Sequence, residues 1–215
     1  MKHVYLVRHA ESEANTGARF GDPKEIRLSP QGEQEANQLA ERVSSVDTVI
    51  VSPYRRTQDT AMPLIEKHHI KDVPVWEQIF EFTYLDPRKF IDITREEKDR
   101  LTTAYWERMD PDYRDGGSAE SFSDLLNRVR ESIGRMAGLH GESYIFTHGG
   151  FIRTFLLLCV EFPHLLARGP SAEDQERALM RRYHEVLESN EIPVVNTQII
   201  EVTQLIADAE KRLGR

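Results

Sequence analysis

The order of apolar and polar residues changes period repeatedly along the chain. Three β-branched or aromatic runs, at residues 3–7, 48–51 and 143–147, are too short for buried helices and predict strands that are buried on both faces. An extended stretch is predicted over residues 73–82 and a further strand over residues 194–202. The pattern therefore predicts a sheet of short, strongly apolar strands.

Between these strands, apolar residues recur at helical spacing. Ser29 followed by Pro30 predicts a helix start, because serine caps the first N–H groups and proline fits the first helical position. The stripe that follows has the spacing i, i+3, i+4 and i+7 and consists of Ala36, Leu39, Ala40 and Val43. Ser52 and Pro53 repeat the pair and predict a second capped helix, which carries Ala61, Leu64 and Ile65.

Three further helices are predicted in the second half of the chain. The clearest has an apolar stripe made of Phe122, Leu125, Val129, Ile133 and Met136. Residues 151–160 are nearly all apolar and predict a buried helix, whereas residues 172–189 predict a polar one. Because strands alternate with helices, the sequence predicts a three-layer α/β/α sandwich with a mostly parallel central sheet.

Residues 83–119 interrupt this alternation with turn signals and a short charged stretch. We predict one domain over residues 1–215, in which residues 83–119 form an insertion or lid and residues 161–192 form loops or a lid over the sheet edge. Residues 83–117 contain seven Lys/Arg and nine Asp/Glu, so they are not a basic clamp for a polyphosphorylated ligand. Four aromatic residues there could contact a sugar or nucleoside, or could form the lid's own small core: Tyr84, Tyr105, Trp106 and Tyr113.

The charge balance narrows the classes of partner. The chain has 28 Lys or Arg and 36 Asp or Glu, which gives a net charge of -8. Nucleic acids and anionic membranes need a basic face, so neither is an expected partner. The most apolar run, residues 155–160, is too short to span a bilayer. With no leader pattern before the first strand and a single cysteine, Cys159, we expect a cytoplasmic protein in which that thiol is buried.

Polar residues follow each of the three predicted strands directly. Arg8 and His9 follow the first, Arg56 lies just beyond the second, and His148 and Gly149 follow the third. Ligands bind outside the carboxyl ends of strands in open parallel sheets, so we expect these segments to meet at one edge. Their residue types suit phosphoryl transfer, because arginine forks fit phosphate oxygens and a neutral imidazole can attack phosphorus. A second histidine, if protonated, can stabilise the transferring group, and a protonated carboxylic acid is needed for the leaving alcohol.

The segments that carry these residues resemble the motifs of the histidine phosphatase superfamily, which includes the cofactor-dependent phosphoglycerate mutases. Residues 6–12 (LVRHAES) are similar to its LVRHGES signature, and residues 147–150 (THGG) to its second histidine motif. Further matches lie at residues 28–32, 52–61 and 120–121, so that the resemblance runs from residue 2 to about residue 202.

The resemblance implies a role for each residue of the motifs. His9 would be the phosphorylated nucleophile. The phosphoryl group would be bound by Arg8, Arg56, His148 and, as an orienting group, Asn15. Gly149 is also assigned to phosphate binding, with a tight strand-to-helix turn as its structural alternative.

The proton donor implied by the resemblance is Glu81, because residues 79–84 (IFEFTY) are similar to the family's LxExxF pattern. Glu77 is the alternative donor. The chain departs from the family at Ala10, where the family usually has glycine. Alanine is compatible with the mechanism if its φ is negative.

These residues predict a metal-independent phosphatase, without a cofactor, that hydrolyses phosphomonoesters of a small soluble metabolite. A phosphoglycerate mutase is the first alternative, although residues 80–87 (FEFTYLDP) stand where mutases have a YERRHYG-type stretch, and the chain is shorter than theirs. A catalytically weak module that only binds phosphorylated ligands is the second, although it predicts the loss of a key residue. The eight histidines show no HExxH spacing, so no metal site is expected. We expect a monomer or a homodimer.

Overall fold

A four-stranded sheet lies at the centre of the computed structural model, which describes residues 2–16, 22–90, 94–167 and 172–214. The strands are β1 (His3–Arg8), β2 (Thr48–Val51), β3 (Glu142–Thr147) and β4 (Ile199–Glu201). Their order in the sheet is β2-β3-β1-β4. β3 pairs in parallel with both β1 and β2, and β4 pairs antiparallel with β1. The predicted α/β fold with a mostly parallel sheet is confirmed.

Seven α-helices cover the two faces of this sheet in the described ranges. They are α1 (Pro30–Arg42), α2 (Arg55–His68), α3 (Arg95–Arg108), α4 (Phe122–Ala137), α5 (Gly149–Leu156), α6 (Ala172–Ser189) and α7 (Thr203–Arg212). A π-helical turn, Leu157–Glu161, continues α5. Short 3-10 helices lie at Pro23–Glu25, Glu77–Ile79, Pro87–Phe90 and Pro163–Leu165.

The sheet separates two cores, because successive side chains of a strand point to opposite faces. Val7, Val51 and Phe146 pack against α1 and α2 on one face. Leu6 and Ile145 belong to the larger core on the other face, which the remaining helices form. Strands covered on both sides need apolar residues at every position, and this explains why β1, β2 and β3 appear in the sequence as continuous apolar runs.

The predicted start of α1 is confirmed, whereas the predicted cap of α2 is wrong. The Ser29 hydroxyl accepts the Gly32 N–H at 3.0 Å, and Pro30 is the first helical residue. α2 instead begins at Arg55, and its N-cap residue Tyr54 makes no side-chain cap hydrogen bond. The Ser52 hydroxyl accepts the N–H of Tyr54, before the helix begins, and also contacts the His148 ring.

Two extended predictions are only partly right. In the first, Val75 forms an isolated parallel bridge with Val51, and a 3-10 turn over Glu77–Ile79 then replaces the expected extended chain. In the second, only Ile199–Glu201 forms a strand, because residues 195–198 form a turn in which Thr197 has a φ of 53°.

The aromatic residues of the predicted insertion belong to the main core. Tyr105 and Trp106 of α3 are each 2% exposed within it, and Tyr84 and Tyr113 pack against it. The segment is therefore anchored to the body of the domain, and whether it acts as a lid stays a prediction.

The predicted apolar helix at residues 151–160 is formed by α5 and its π-helical extension. Cys159 in this extension is half-buried rather than fully buried, and burial raises the pKa of its thiol to about 12. Across the described residues, no helix combines the length and the apolar character that a bilayer crossing needs.

Gly32, in the first turn of α1, lies against the backbone of Glu11, two residues after His9. A Cβ at this position would overlap the Glu11 carbonyl oxygen. We expect Gly32→Ala to lower the free energy of unfolding by about 1–3 kcal/mol, because the two backbones must move apart. Urea unfolding curves would measure this change as a lower midpoint at an unchanged slope.

Gly138→Ala is the matched control for this substitution. Gly138 has right-handed helical φ and ψ, and a Cβ there would lie 3.5 Å from the Arg135 carbonyl oxygen, which is ordinary contact. Its free energy of unfolding should change by no more than about 1 kcal/mol. Equal losses in the two variants would contradict the close approach of Gly32 and Glu11 as the cause.

Candidate active site

The ends of three parallel strands bring the predicted residues to one edge of the sheet. His9 follows β1 and its N–H donates to the Thr147 carbonyl of β3 at 3.1 Å, while the Ser52 N–H, after β2, donates to Phe146 of β3 at 3.1 Å. His148 follows β3 and is the N-cap residue of α5. As a result the His9 and His148 rings lie 5.2 Å apart, centroid to centroid.

His9 is held in one tautomer and kept neutral. Its side chain is buried, and Nδ1 donates to its neighbour, the Ala10 carbonyl, at 2.7 Å. This leaves the lone pair on Nε2, which accepts a hydrogen bond from Arg56 Nε at 3.2 Å. Burial and then the Arg56 charge lower the pKa of His9 to about 3. The imidazole is therefore neutral at physiological pH, which is the state that its predicted nucleophilic role requires.

Ala10 takes the family's glycine position without strain. Positive φ angles outside glycine occur, among the described residues, at His69, Met109, Asn190 and Thr197, and Ala10 is not one of these. Its N–H donates to the Thr60 hydroxyl at 3.0 Å, and its methyl group packs in a small apolar cluster. The condition under which alanine is compatible with the mechanism is thus met.

Arg56, in the first turn of α2, points inward and Arg55 points outward. Arg56 is 6% exposed, donates to the Pro23 carbonyl at 2.9 Å and lies 4.8 Å above the Tyr54 ring. Arg55 instead pairs with Asp59 at 3.4 Å on the helix surface. The inward arginine is therefore the one that reaches the nucleophile.

Arg8 lies against the N-terminus of α5, where a Cβ on Gly149 would be in ordinary contact with Arg8 and in tight contact only with Arg153. A Cβ on Gly149 would lie 3.6 Å from Arg8 Nε and 3.1 Å from a terminal nitrogen of Arg153. Arg8 also donates to the Val194 carbonyl, but its Nε is buried and has no hydrogen-bond partner within the described chain. This N–H is a free donor directed into the protein at the predicted phosphate site.

His148 is fully buried and neutral. Its Nε2 lies 2.7 Å from the Ser52 hydroxyl, and burial, followed by the charge of Arg56, lowers its pKa well below 6.5. Its Nδ1 has no partner among the described residues. The sequence predicts that His148 stabilises the transferring group if it is protonated. In this environment His148 would take up a proton only beside the negative charge of a bound phosphoryl group.

Glu81 reaches the site from the segment after β2. Its Oε1 accepts the N–H groups of Phe82 and Gly150, both at 2.9 Å, and its charge acts on both Arg8 and Arg56. The chain needs glycine at position 150, because a Cβ there would overlap this carboxylate oxygen.

Glu77, the alternative donor, is exposed and lines a cavity of about 600 Å³. The cavity reaches the predicted site through Tyr54, which contacts His148, and through Pro23, whose carbonyl accepts from Arg56. Tyr54 and Phe80 form an aromatic part of its wall and lie 6.2 Å apart. Because Oε1 of Glu81 accepts two backbone N–H groups, Oε2 is the oxygen that would carry the proton if Glu81 is the predicted donor.

Asn15 is placed at the margin of the site rather than inside it. Its side chain is exposed, and its Oδ1 accepts from both the N–H and the hydroxyl of Ser12 at 2.9 Å. It thereby holds the turn that follows the nucleophile, and its orienting role stays a prediction.

The sequence reasoning missed several supporting residues. The sequence predicts Ser52 as a helix cap and as one of the polar residues that follow the second strand, but not as the partner of His148. Thr60, which contacts the residue after His9, has no predicted role. Tyr54 packs against Arg56 and presents its ring edge to His148 at 5.0 Å. All three lie in residues 52–61, a motif match whose spacing was the available signal. Across the described residues, no three His, Cys, Asp or Glu side chains are grouped so as to hold a metal ion.

The sequence profile of the histidine phosphatase superfamily, branch 1, matches residues 4–184. This range contains every predicted site residue, and the chain therefore belongs to the histidine phosphatase superfamily.

Individual relatives include both mutase and phosphatase names. The chain is 31% identical over 141 residues to "Probable phosphoglycerate mutase GpmB" of Serratia proteamaculans, and this match covers 62% of each chain, less than two thirds of the relative's length.

A phosphoserine phosphatase from Entamoeba histolytica, solved with 3-phosphoglyceric acid, has a TM-score of 0.64 at 20% identity and covers 94% of this chain and 90% of its own. The mycobacterial glucosyl-3-phosphoglycerate phosphatase has a TM-score of 0.58 at 22% identity, and the match covers 82% of this chain and 84% of its own. At such identities the two structures establish a shared fold.

The hydrogen bond from His9 Nδ1 to Ala10 and the lowered pKa of His9 can be tested by NMR on protein labelled with ¹⁵N-histidine. The His9 ring should stay in the neutral, Nδ1-protonated tautomer from about pH 8 to about pH 5, because burial and the Arg56 charge lower its pKa to about 3. An unperturbed histidine would become charged below about pH 6.5. A His9→Gln variant would assign the signals. Titration of the His9 ring with a pKa near 6.5 would contradict the burial and charge effects described above.

Proposed function

We propose that this protein is a metal-independent phosphatase that hydrolyses phosphomonoesters through a phosphohistidine on His9. The observation that carries the proposal is the state of His9, whose Nδ1–H is committed to the Ala10 carbonyl and whose Nε2 faces Arg56. A neutral imidazole with its lone pair directed at a guanidinium suits attack on a phosphoryl group that the same guanidinium binds.

In the first step, Nε2 of His9 attacks phosphorus and the bond from phosphorus to the ester oxygen breaks. The leaving oxygen takes a proton from Oε2 of Glu81, so that an alcohol and a phosphohistidine are formed. Arg56 transfers its hydrogen bond from His9 Nε2 to a phosphoryl oxygen, and the unpartnered N–H groups of Arg8 and His148 bind other oxygens.

In the second step, a water molecule enters from the cavity and Glu81, now a carboxylate, takes its proton. The resulting hydroxide oxygen attacks phosphorus, the N–P bond breaks, and His9 and Glu81 return to their starting states. The cavity of about 600 Å³ leaves room for the leaving group and then for water.

The charges around the cavity favour a substrate whose organic part has no second anionic group. Among its described lining residues, Arg88 is paired with buried Asp86, and Glu120 is paired with Arg128. The remaining charged lining residues are one cation, Lys24, and two anions, Asp22 and Glu77, so the lining has no surplus of positive charge. The substrate class is thus a phosphomonoester of a small, uncharged molecule.

The second candidate is phosphoglycerate mutase activity, which the Serratia proteamaculans relative's name suggests. A mutase must keep the phosphorylated acid bound during the lifetime of the phosphohistidine. Binding the carboxylate of that acid needs cations beyond the phosphoryl site. The balance of charges in the cavity favours hydrolysis. A binding module without catalysis is disfavoured because His9, Arg56 and His148 are present and in contact.

The mechanism predicts that p-nitrophenyl phosphate is hydrolysed in excess EDTA. We expect His9→Ala to lower kcat by at least about a thousandfold, because the covalent intermediate cannot form. Rapid acid-free quenching with ³²P-labelled substrate should trap an acid-labile phosphohistidine in the wild type and not in the variant. His69→Ala, a surface change, is the control.

Three outcomes of this assay separate the alternatives. Activity that EDTA abolishes would contradict the metal-independent mechanism. An inactive wild type that converts 3-phosphoglycerate in the presence of 2,3-bisphosphoglycerate would establish the mutase instead. A folded protein without either activity would leave binding of phosphorylated ligands as the function.

The substrate class can be tested with two substrates that differ in one group. Glycerol 1-phosphate has a hydroxymethyl group where 3-phosphoglycerate has a carboxylate. We expect kcat/KM to be about tenfold or more higher for glycerol 1-phosphate, because the second anion meets no surplus cation and like charges disfavour binding. The difference should lie mainly in KM. Equal values, or a preference for 3-phosphoglycerate, would overturn the proposed class.

A further inference from the structure

Glu81, the proton donor of the proposed mechanism, lies in a segment of irregular backbone. Residues 78–83, named here the acid strap, run from the end of the 3-10 turn at Glu77–Ile79 past Glu81. Neither a sheet ladder nor an α-helix fixes the backbone of this strap. General acid catalysis nevertheless requires a carboxyl group held within hydrogen-bond reach of the leaving oxygen. Some other contact must therefore set the position of Glu81.

Arg128 of α4 holds the first half of the acid strap. One of its terminal nitrogens donates to the carbonyls of Gln78 and Phe80, at 2.9 and 2.7 Å, and its guanidinium lies 3.9 Å above the Phe80 ring. The Ile79 carbonyl between them accepts from the Thr147 hydroxyl of β3 at 2.6 Å. Three consecutive carbonyls on one side of Glu81 are thus fixed by side chains from other elements.

Glu120 holds the other half. Its Oε1 accepts the Thr83 N–H at 3.1 Å, and its own N–H donates to the Thr83 carbonyl at 3.0 Å. The two holding residues are themselves joined, because Arg128 donates to both carboxylate oxygens of Glu120, at 2.9 and 2.7 Å. Both are nearly buried, at 8% exposure, so solvent screens this contact little.

We propose that Arg128 and Glu120 are positioning residues, which act through the acid strap to keep Glu81 where it can protonate the leaving group. This inference rests on the proposed phosphatase mechanism. Neither side chain touches the nucleophile. Their role is to fix Phe80, which directly precedes Glu81, and Thr83, which follows Glu81 by two residues.

The same helix offers a matched comparison. Arg130 also forms a buried ion pair, with Glu176 at 3.0 Å, and also donates to a backbone carbonyl, that of Leu165 at 2.8 Å. That carbonyl belongs to the 3-10 turn at Pro163–Leu165, which is not part of the acid strap. If Arg128 only stabilised the fold, the loss of either arginine should affect catalysis in the same way.

The test compares kcat/KM for p-nitrophenyl phosphate and phenyl phosphate, whose leaving groups differ in their need for a proton. We expect Arg128→Met to lower kcat/KM for phenyl phosphate about 100-fold and for p-nitrophenyl phosphate less than about tenfold, since only the former depends strongly on a general acid. Glu81→Gln should show the same selectivity. In the double variant the selectivity should not increase, because both changes remove one function.

Arg130→Met should lower both values by the same factor. Equal losses for the two substrates in Arg128→Met, or no loss, would overturn the positioning role. If Arg128→Met does not fold, as judged by circular dichroism and urea unfolding, Glu120→Gln provides the same comparison, because an amide can still accept from Thr83 but loses its ion pair. Absence of leaving-group selectivity in Glu81→Gln, or of a trapped phosphohistidine in the wild type, would instead refute the proposed mechanism.

Discussion

The parallel pairing of β3 with both β1 and β2 is the constraint on which the site depends. Its register places Arg8 opposite Thr147 and Val51 opposite Phe146, so that the three strands end at one level. His9 and the residues after β2 therefore leave the sheet beside His148. A slip of one residue would turn every side chain of the slipped strand to the opposite face, exchanging core residues between the two layers. The packing of the two cores thus fixes the geometry of the histidines.

The arginines at this edge have a double effect. Arg56 lies where a phosphoryl group would bind, and the same charge, added to burial, favours the neutral form of both histidines. The arrangement leaves Arg8 Nε and His148 Nδ1 buried without partners in the described chain, which is unfavourable for folding alone. Such exceptions to hydrogen-bond satisfaction are expected where a polar ligand takes the place of water.

Local patterns predicted the parts of this protein that local physics decides. The strands β1, β2 and β3 were predicted because burial on both faces demands continuous apolar runs, and Ser29 was predicted because its hydroxyl caps the turn beside it. Ser52 shows the limit, since its partner His148 is 96 residues away and a Ser-Pro pair reveals nothing of it. For the same reason the motif at residues 120–121 was noticed, but its partner Arg128 was not. Gly149 and Glu81 were found through the family resemblance, because neither stands out by composition.

The burial of Tyr105 and Trp106 affects how the protein unfolds. These side chains join the segment after Glu81 to the same core as α4 and α6. Local opening of the segment would expose two large aromatic rings to water, which costs several kcal/mol and so disfavours opening of this segment alone. Glu81 and the two histidines at the sheet edge thus belong to one cooperative unit. A fluctuation that opens this segment would therefore also disturb the sheet edge, and a partly opened molecule with an intact His9 pocket should be rare.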